Sequence, residues 1–119
     1  MRISELSART QMSVHRLRRY EAAGLIASQR LPNGYRDYDE KTVKHVIFIA
    51  MSREMGFSLS FIAEYLPRFK TGKLSVQDMI EAILVRVAEI DQLMTEQQAL
   101  RQKLMDHIGW FKTQARRKP

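Results

Sequence analysis

Apolar positions fall first into short runs with helical spacing, then into a stretch of different period, and finally into one long seam. Ile3 and Leu6, then Val14 and Leu17, predict two short helices over residues 3–9 and 13–23, joined at Thr10-Gln11-Met12. Ser13 is a good N-cap, Met12 before it is placed to staple onto Leu17, and Gly24 stands where a helix stops. Burying those apolar positions turns His15, Arg16, Arg18 and Arg19 outward. Two helices around a short turn, the second one basic, form the helix-turn-helix pattern.

After Gly24 the period changes. Short extended runs flank Leu31-Pro32-Asn33-Gly34, and Asn-Gly in that setting predicts a β-hairpin, because both residues tolerate positive φ. Such a small wing, with no side chain on Gly34, can bring its tip close to a phosphate backbone. Asp39 is set to cap a third helix over 40–55, with Val43, Val46, Ile47, Ala50 and Met51 at helical spacing and Tyr38 placed to staple onto Val43. Ser58 caps a short fourth helix ending near Leu66, with Phe57 facing Ile62, and Pro67 with Thr71-Gly72-Lys73 then reads as connecting chain.

From Ser75 to about Phe111 no proline or glycine intervenes except Gly109. Alternating spacings of four and three connect Val76, Ile80, Ile83, Val87, Ile90, Met94, Gln97, Arg101, Leu104, Ile108 and Phe111. All but Gln97 and Arg101 are apolar, a heptad seam that outlasts any partner within so small a chain and so predicts an intermolecular coiled coil. Gln97 and Arg101 would act as defects that fix register or direction. The expected organisation is a DNA-binding-sized domain over 1–70, a linker over 71–74, a coiled-coil helix over 75–112, and a solvated basic tail over 113–119.

Charge changes this picture by its position. The chain has 119 residues and a formal charge of +7, and its first 36 residues hold seven arginines against only Glu5 and Glu21. The planar guanidinium suits phosphates and guanine edges, so an anionic polymer is the expected partner. With no cysteine there is no disulfide, thiolate metal site, iron–sulfur ligand or thiol nucleophile in this sequence. His15, His45 and His107 form no ligand motif, the methionines sit at core-filling spacings, and no nucleophile has an evident base, so neither metal, cofactor nor enzyme activity is expected. No segment approaches the roughly 20 apolar residues of a membrane helix, and the polar start is unlike a signal peptide, which leads to an expected cytoplasmic, nucleoid-associated location.

Taken together, Ser13-Val14-His15-Arg16-Leu17-Arg18-Arg19-Tyr20-Glu21, Gly24-Leu25-Ile26, Asn33-Gly34-Tyr35-Arg36-Asp37-Tyr38 and Met55-Gly56-Phe57-Ser58-Leu59 resemble the MerR family of transcriptional regulators over about residues 2–66. The resemblance implies a mainly α fold: a winged helix-turn-helix DNA-binding domain followed by a long helix that forms an antiparallel homodimeric coiled coil. It implies double-stranded DNA as partner, a pseudo-palindromic operator, and promoter distortion that lets RNA polymerase engage both promoter elements.

Carried over by position, Ser13, His15, Arg16, Arg18, Arg19 and Tyr20 belong to the recognition helix. His15, Arg16 and Arg19 are neighbours able to reach base edges, while Arg18 and Tyr20 act as phosphate clamps. Asn33, Gly34, Arg36 and Tyr38 match the backbone-contacting wing, and Arg53 is a further contact of that kind. Gln11 replaces the family's usual turn glycine and Arg19 a common aromatic, so the operator cannot be borrowed. The missing cysteines exclude the family's thiolate and iron–sulfur sensing, and the chain length leaves no room for an appended ligand-binding domain; a small-molecule effector stays open and unidentified. An architectural or recombination-accessory DNA-bending protein is the alternative within DNA binding, and a protein-docking coiled-coil module the alternative outside it.

Overall fold

The computed structural model describes residues 1–117 as five helices and a two-stranded hairpin. They are α1 (Ile3–Thr10), α2 (Val14–Ala22), β1 (Gln29–Arg30), β2 (Arg36–Asp37), α3 (Lys41–Glu54), α4 (Leu59–Lys70) and α5 (Val76–Arg117). The chain divides into two compact units, Met1–Ser75 and the part from Val76 onward. No helix among the described residues is long and apolar enough to cross a membrane.

In the first unit α1 packs on α2 and α3, and α3 packs on α4. Leu6, Leu17, Val46, Ile49 and Ile62 are fully buried at its centre, each stabilising the fold by roughly 1.5–3 kcal/mol. The turn between α1 and α2 is held by Ser7 Oγ, which donates to the Met12 carbonyl at 2.6 Å. Gln11 takes the left-handed conformation there (φ 57°, ψ 26°), alone in this among the non-glycine residues described. A side chain in that region costs about 1–2 kcal/mol, part of which glycine's greater freedom in the unfolded chain takes back. Gln11→Gly is therefore expected to stabilise the protein by about 0.5–1 kcal/mol, read as a raised midpoint in thermal unfolding.

Three expectations are corrected. Ile47 and Met51 are not core residues: they are 50% and 46% exposed, and α3 instead buries Thr42, Val46, Phe48, Ile49 and Ser52. The helix is turned so that Phe48 can stack on Phe69, with ring centroids 4.3 Å apart. That contact also explains why α4 does not stop near Leu66 but runs through Pro67 to Lys70. Proline removes one helical hydrogen bond, and the last turn is held instead by the Phe69 stack and by Lys70 Nζ, which donates to the Leu25 carbonyl at 3.0 Å. The third correction concerns residues 113–117, read as a solvated tail: α5 continues through Arg117, while Lys118 and Pro119 lie outside the described residues.

His45 on α3 faces the edge of the Phe69 ring. Burial pulls its imidazole below the ordinary value, Lys70 adds to this, and Asp39 opposes it. Above about pH 7 it is neutral in both folded and unfolded chains. Below about pH 6.5 the unfolded chain takes the proton first, so stability falls as pH drops toward the depressed folded value. Urea unfolding at pH 7.5 and 5.5 is expected to show this loss and to show it reduced in His45→Gln.

The second unit is α5, 42 residues long and so about 63 Å in length. The apolar seam positions along it, from Val76 to Phe111, are all exposed in the single chain. Leu93 and Leu100, also exposed, flank Gln97 and keep the apolar stripe continuous where the seam itself turns polar.

Candidate nucleic-acid interface

The site is built around α2. Ser13 Oγ accepts the Arg16 backbone N–H at 3.1 Å, which caps the helix and fixes where its first turn begins. Met12 and Leu17 are both buried, and Leu17 and Tyr20 form the inward face. His15, Arg16, Arg18 and Arg19 are left exposed.

These outward arginines separate onto two grooves. Arg16 and Arg19 line the first together with Tyr20, Ala22, Ala23, Leu59 and Arg53. Arg53 is fixed in place by donating to the Phe57 carbonyl at 2.9 Å. Tyr20, expected to be a phosphate clamp, is a correction: it is 6% exposed and borders this groove as a core residue, not as a surface contact. Arg18 lines the second groove, on the wing side, with Arg2, Arg30, Gly34, Tyr35 and Arg36.

The wing follows from local chemistry. β1 and β2 are antiparallel, and beyond them Leu31 N donates to the Tyr35 carbonyl at 2.8 Å, closing a three-residue loop. Within this loop Gly34 alone takes positive φ (86°). Asn33 does not share it; its side-chain oxygen instead accepts the Tyr35 N–H at 3.1 Å. Open space surrounds the position a Gly34 side chain would occupy, so the tip is free for close approach.

The hairpin register sets Arg30 directly opposite Arg36. Like charges in that arrangement destabilise a strand pair, so the wing carries a local excess of positive charge suited to an anion. Glu21 Oε2 lies 3.7 Å from Arg36 and offsets only part of it. Arg2, Arg30 and Tyr35 were missed as site residues by sequence reasoning, although the two arginines belong to the N-terminal cluster. The Arg2 guanidinium sits 4.2 Å from the centroid of the Tyr35 ring, a contact visible only once the fold brings residue 2 to the wing.

Tyr38 is a correction. It is 1% exposed, and its hydroxyl donates to Glu21 Oε1, so it is a core residue and not a surface contact. Burial, reinforced by the Glu21 carboxylate, raises its phenol above the ordinary value. Glu21 also accepts from Ser28 Oγ at 3.2 Å. One carboxylate on α2 thereby ties together Tyr38, Ser28 and Arg36, and positions the wing beside the helix.

The family model described as "MerR HTH family regulatory protein" matches residues 1–68, the span holding both grooves. This chain belongs to the MerR family. A second MerR model, described as "MerR, DNA binding", matches residues 43–107. Among MerR relatives, the transcriptional regulator CueR of Salmonella typhi is 30% identical over 106 residues, covering 88% of this chain and 77% of the relative. The regulator HmrR of Rhizobium leguminosarum is 33% identical over 108 residues, covering 91% and 83%.

Among solved structures, the transcription regulator PbrR691 of Ralstonia metallidurans CH34, determined with lead(II), superposes with a TM-score of 0.73 at 29% identity, covering 89% of this chain and 83% of that one. HiNmlR, a MerR regulator lacking the sensor domain and bound to promoter DNA, shares the fold with a TM-score of 0.60 at 17% identity, covering 87% and 77%. The chain is a MerR-type DNA-binding transcriptional regulator.

Proposed function

We propose that this regulator binds a pseudo-palindromic promoter operator as a homodimer and distorts it to control transcription by RNA polymerase. The observation that carries the DNA reading is the division of arginines on either side of α2. In this reading α2 enters the major groove, where His15, Arg16 and Arg19 face base edges. Ser13, Arg18 and Arg53 meet phosphates beside it, and Asn33, Gly34 and Arg36 meet the backbone from the wing, joined by Arg2, Arg30 and Tyr35.

Two-fold symmetry follows from α5. A helix of this length with an exposed apolar stripe needs a partner to remove that stripe from water. The seam supplies a second copy as the occupant. A symmetric dimer reads an inverted repeat, with half-site spacing set by the distance between its two recognition helices.

The test is selection of bound sequences from random duplex DNA by the purified protein at two salt concentrations. An inverted repeat of fixed spacing, with affinity falling steeply as salt rises, is the expected result. Recovery of unstructured or merely A/T-biased DNA would replace this reading with an architectural one. No recovery at low salt would replace it with protein docking. An in vitro transcription assay on the recovered operator then tests the control of promoter geometry.

A further inference from the structure

Charge along α5 is segregated. Its first half, residues 76–96, carries five carboxylates (Asp78, Glu81, Glu89, Asp91 and Glu96) against Arg86 alone. Its second half, residues 97–117, carries five cations (Arg101, Lys103, Lys112, Arg116 and Arg117) against Asp106 alone. Interaction with the helix dipole accounts for such charges only within the first and last turns. Glu89, Asp91, Glu96, Arg101 and Lys103 lie in the middle turns, where the dipole gives no reason for sorting them.

We propose that this gradient is a self-pairing code that sets the direction and register of the α5 dimer. The inference rests on the dimeric reading above. Parallel copies would lay acid on acid and base on base, whereas opposed copies lay each acidic half on a basic one.

Side-chain matching then selects one register. With Met94 layered on the partner's Gln97, Val87 meets the partner's Leu104, Ile83 meets the partner's Ile108 and Ile80 meets the partner's Phe111. Of the flanking positions, Leu93 meets the partner's Leu100 and Leu84 meets the partner's Met105. Arg101, a cation on the apolar stripe, packs on the partner's Ile90, between the partner's Glu89 and the partner's Asp91. A slide of one heptad one way sets Asp91 against its own copy. The opposite slide stacks Gln97 on the partner's Arg101, sets Ile83 against only the small side chain of the partner's Ala115, and leaves Ile80 without an apolar partner.

Arg101 is thus the specificity-determining residue of the interface. Its role is to reject wrong directions and registers, at some cost in the strength of the correct one.

Two full-length variants test this together: one chain with Glu89→Lys and Asp91→Lys, and another with Arg101→Glu. Sedimentation equilibrium at low salt is expected to show each alone dimerising at least about tenfold more weakly than the wild type. An equimolar mixture is expected to recover a 1:1 heterodimer of near wild-type affinity, because both of its contacts are again opposite in sign. Since the sequence has no cysteine, Met94→Cys and Gln97→Cys chains provide a second readout without changing charge. Mixed and oxidised, they are expected to cross-link to each other faster than either does to itself.

No rescue on mixing, or preferred self-linking of Met94→Cys, would overturn the pairing code while leaving a dimer in place. A wild-type chain that sediments as a monomer would overturn the dimeric reading itself.

Discussion

Replacing Arg19 by alanine is expected to lower affinity for the selected operator by about 10- to 100-fold, roughly 1–3 kcal/mol, and to relax preference at one base position in each half-site. Arg19 is exposed on α2 and lines a groove with Arg16 and Arg53, the side on which a base edge would lie. Arg36 sits across α2 on the wing, paired with Glu21 at 3.7 Å, where a phosphate is the natural partner. Arg36→Ala is therefore expected to weaken all sequences alike and to reduce the slope of log affinity against log salt by about one. Titrations of both variants against the selected operator and a scrambled duplex at several salt concentrations check the pair of expectations. Equal losses on both duplexes for both variants would remove the division of labour between helix and wing.

A different large effect is expected at Tyr38. The Tyr38→Ala variant should lose about 3–5 kcal/mol of stability, the range for deleting a buried aromatic side chain, because the ring is almost fully enclosed and its hydroxyl is held by Glu21. A loss of that size matches the roughly 3–5 kcal/mol that a single core of under about 80 residues supplies, so the first unit, Met1–Ser75, should be largely unfolded at ambient temperature. Tyr38→Phe keeps the ring and removes one hydrogen bond, and should cost only about 1–2 kcal/mol. Urea unfolding of both variants, with DNA binding of Tyr38→Phe measured well below its midpoint, distinguishes a core role from a contact. Near-normal affinity of folded Tyr38→Phe is expected. A tenfold loss in a fully folded variant would restore Tyr38 to the contact surface.

Features decided by near neighbours in the chain were legible in the sequence. The Ser13 cap depends on residues three positions apart, the Asn33-Gly34 turn on five consecutive residues, and the length of α5 on a spacing that repeats. What depended on distant neighbours was not. The choice between Ile47 and Phe48 as a core residue turned on Phe69, some twenty positions away, and the same contact carried α4 past Pro67. In the site, the outward arginines of α2 followed from its inward leucine, but their separation onto two grooves needed the position of Arg53 on α3 and of the wing arginines. Tyr38 misled because an aromatic beside a wing arginine suits a surface or a core equally well. Strand direction and the Glu21 carboxylate decided for the core.

The opposed arginines of the wing also bear on how a ligand for this regulator should be sought. Arg30 and Arg36 face each other across the hairpin, and Glu21 on α2 lies 3.7 Å from Arg36, so any anion that lodges between the two arginines relieves repulsion and raises the melting temperature through simple mass action. Inorganic phosphate, sulfate, nucleotides and heparin should all register as stabilisers in a thermal-shift screen, without regard to biological meaning. In the proposed complex operator DNA covers the wing, so a screen for a physiological effector belongs on that complex, where anions can no longer register by lodging between these two arginines.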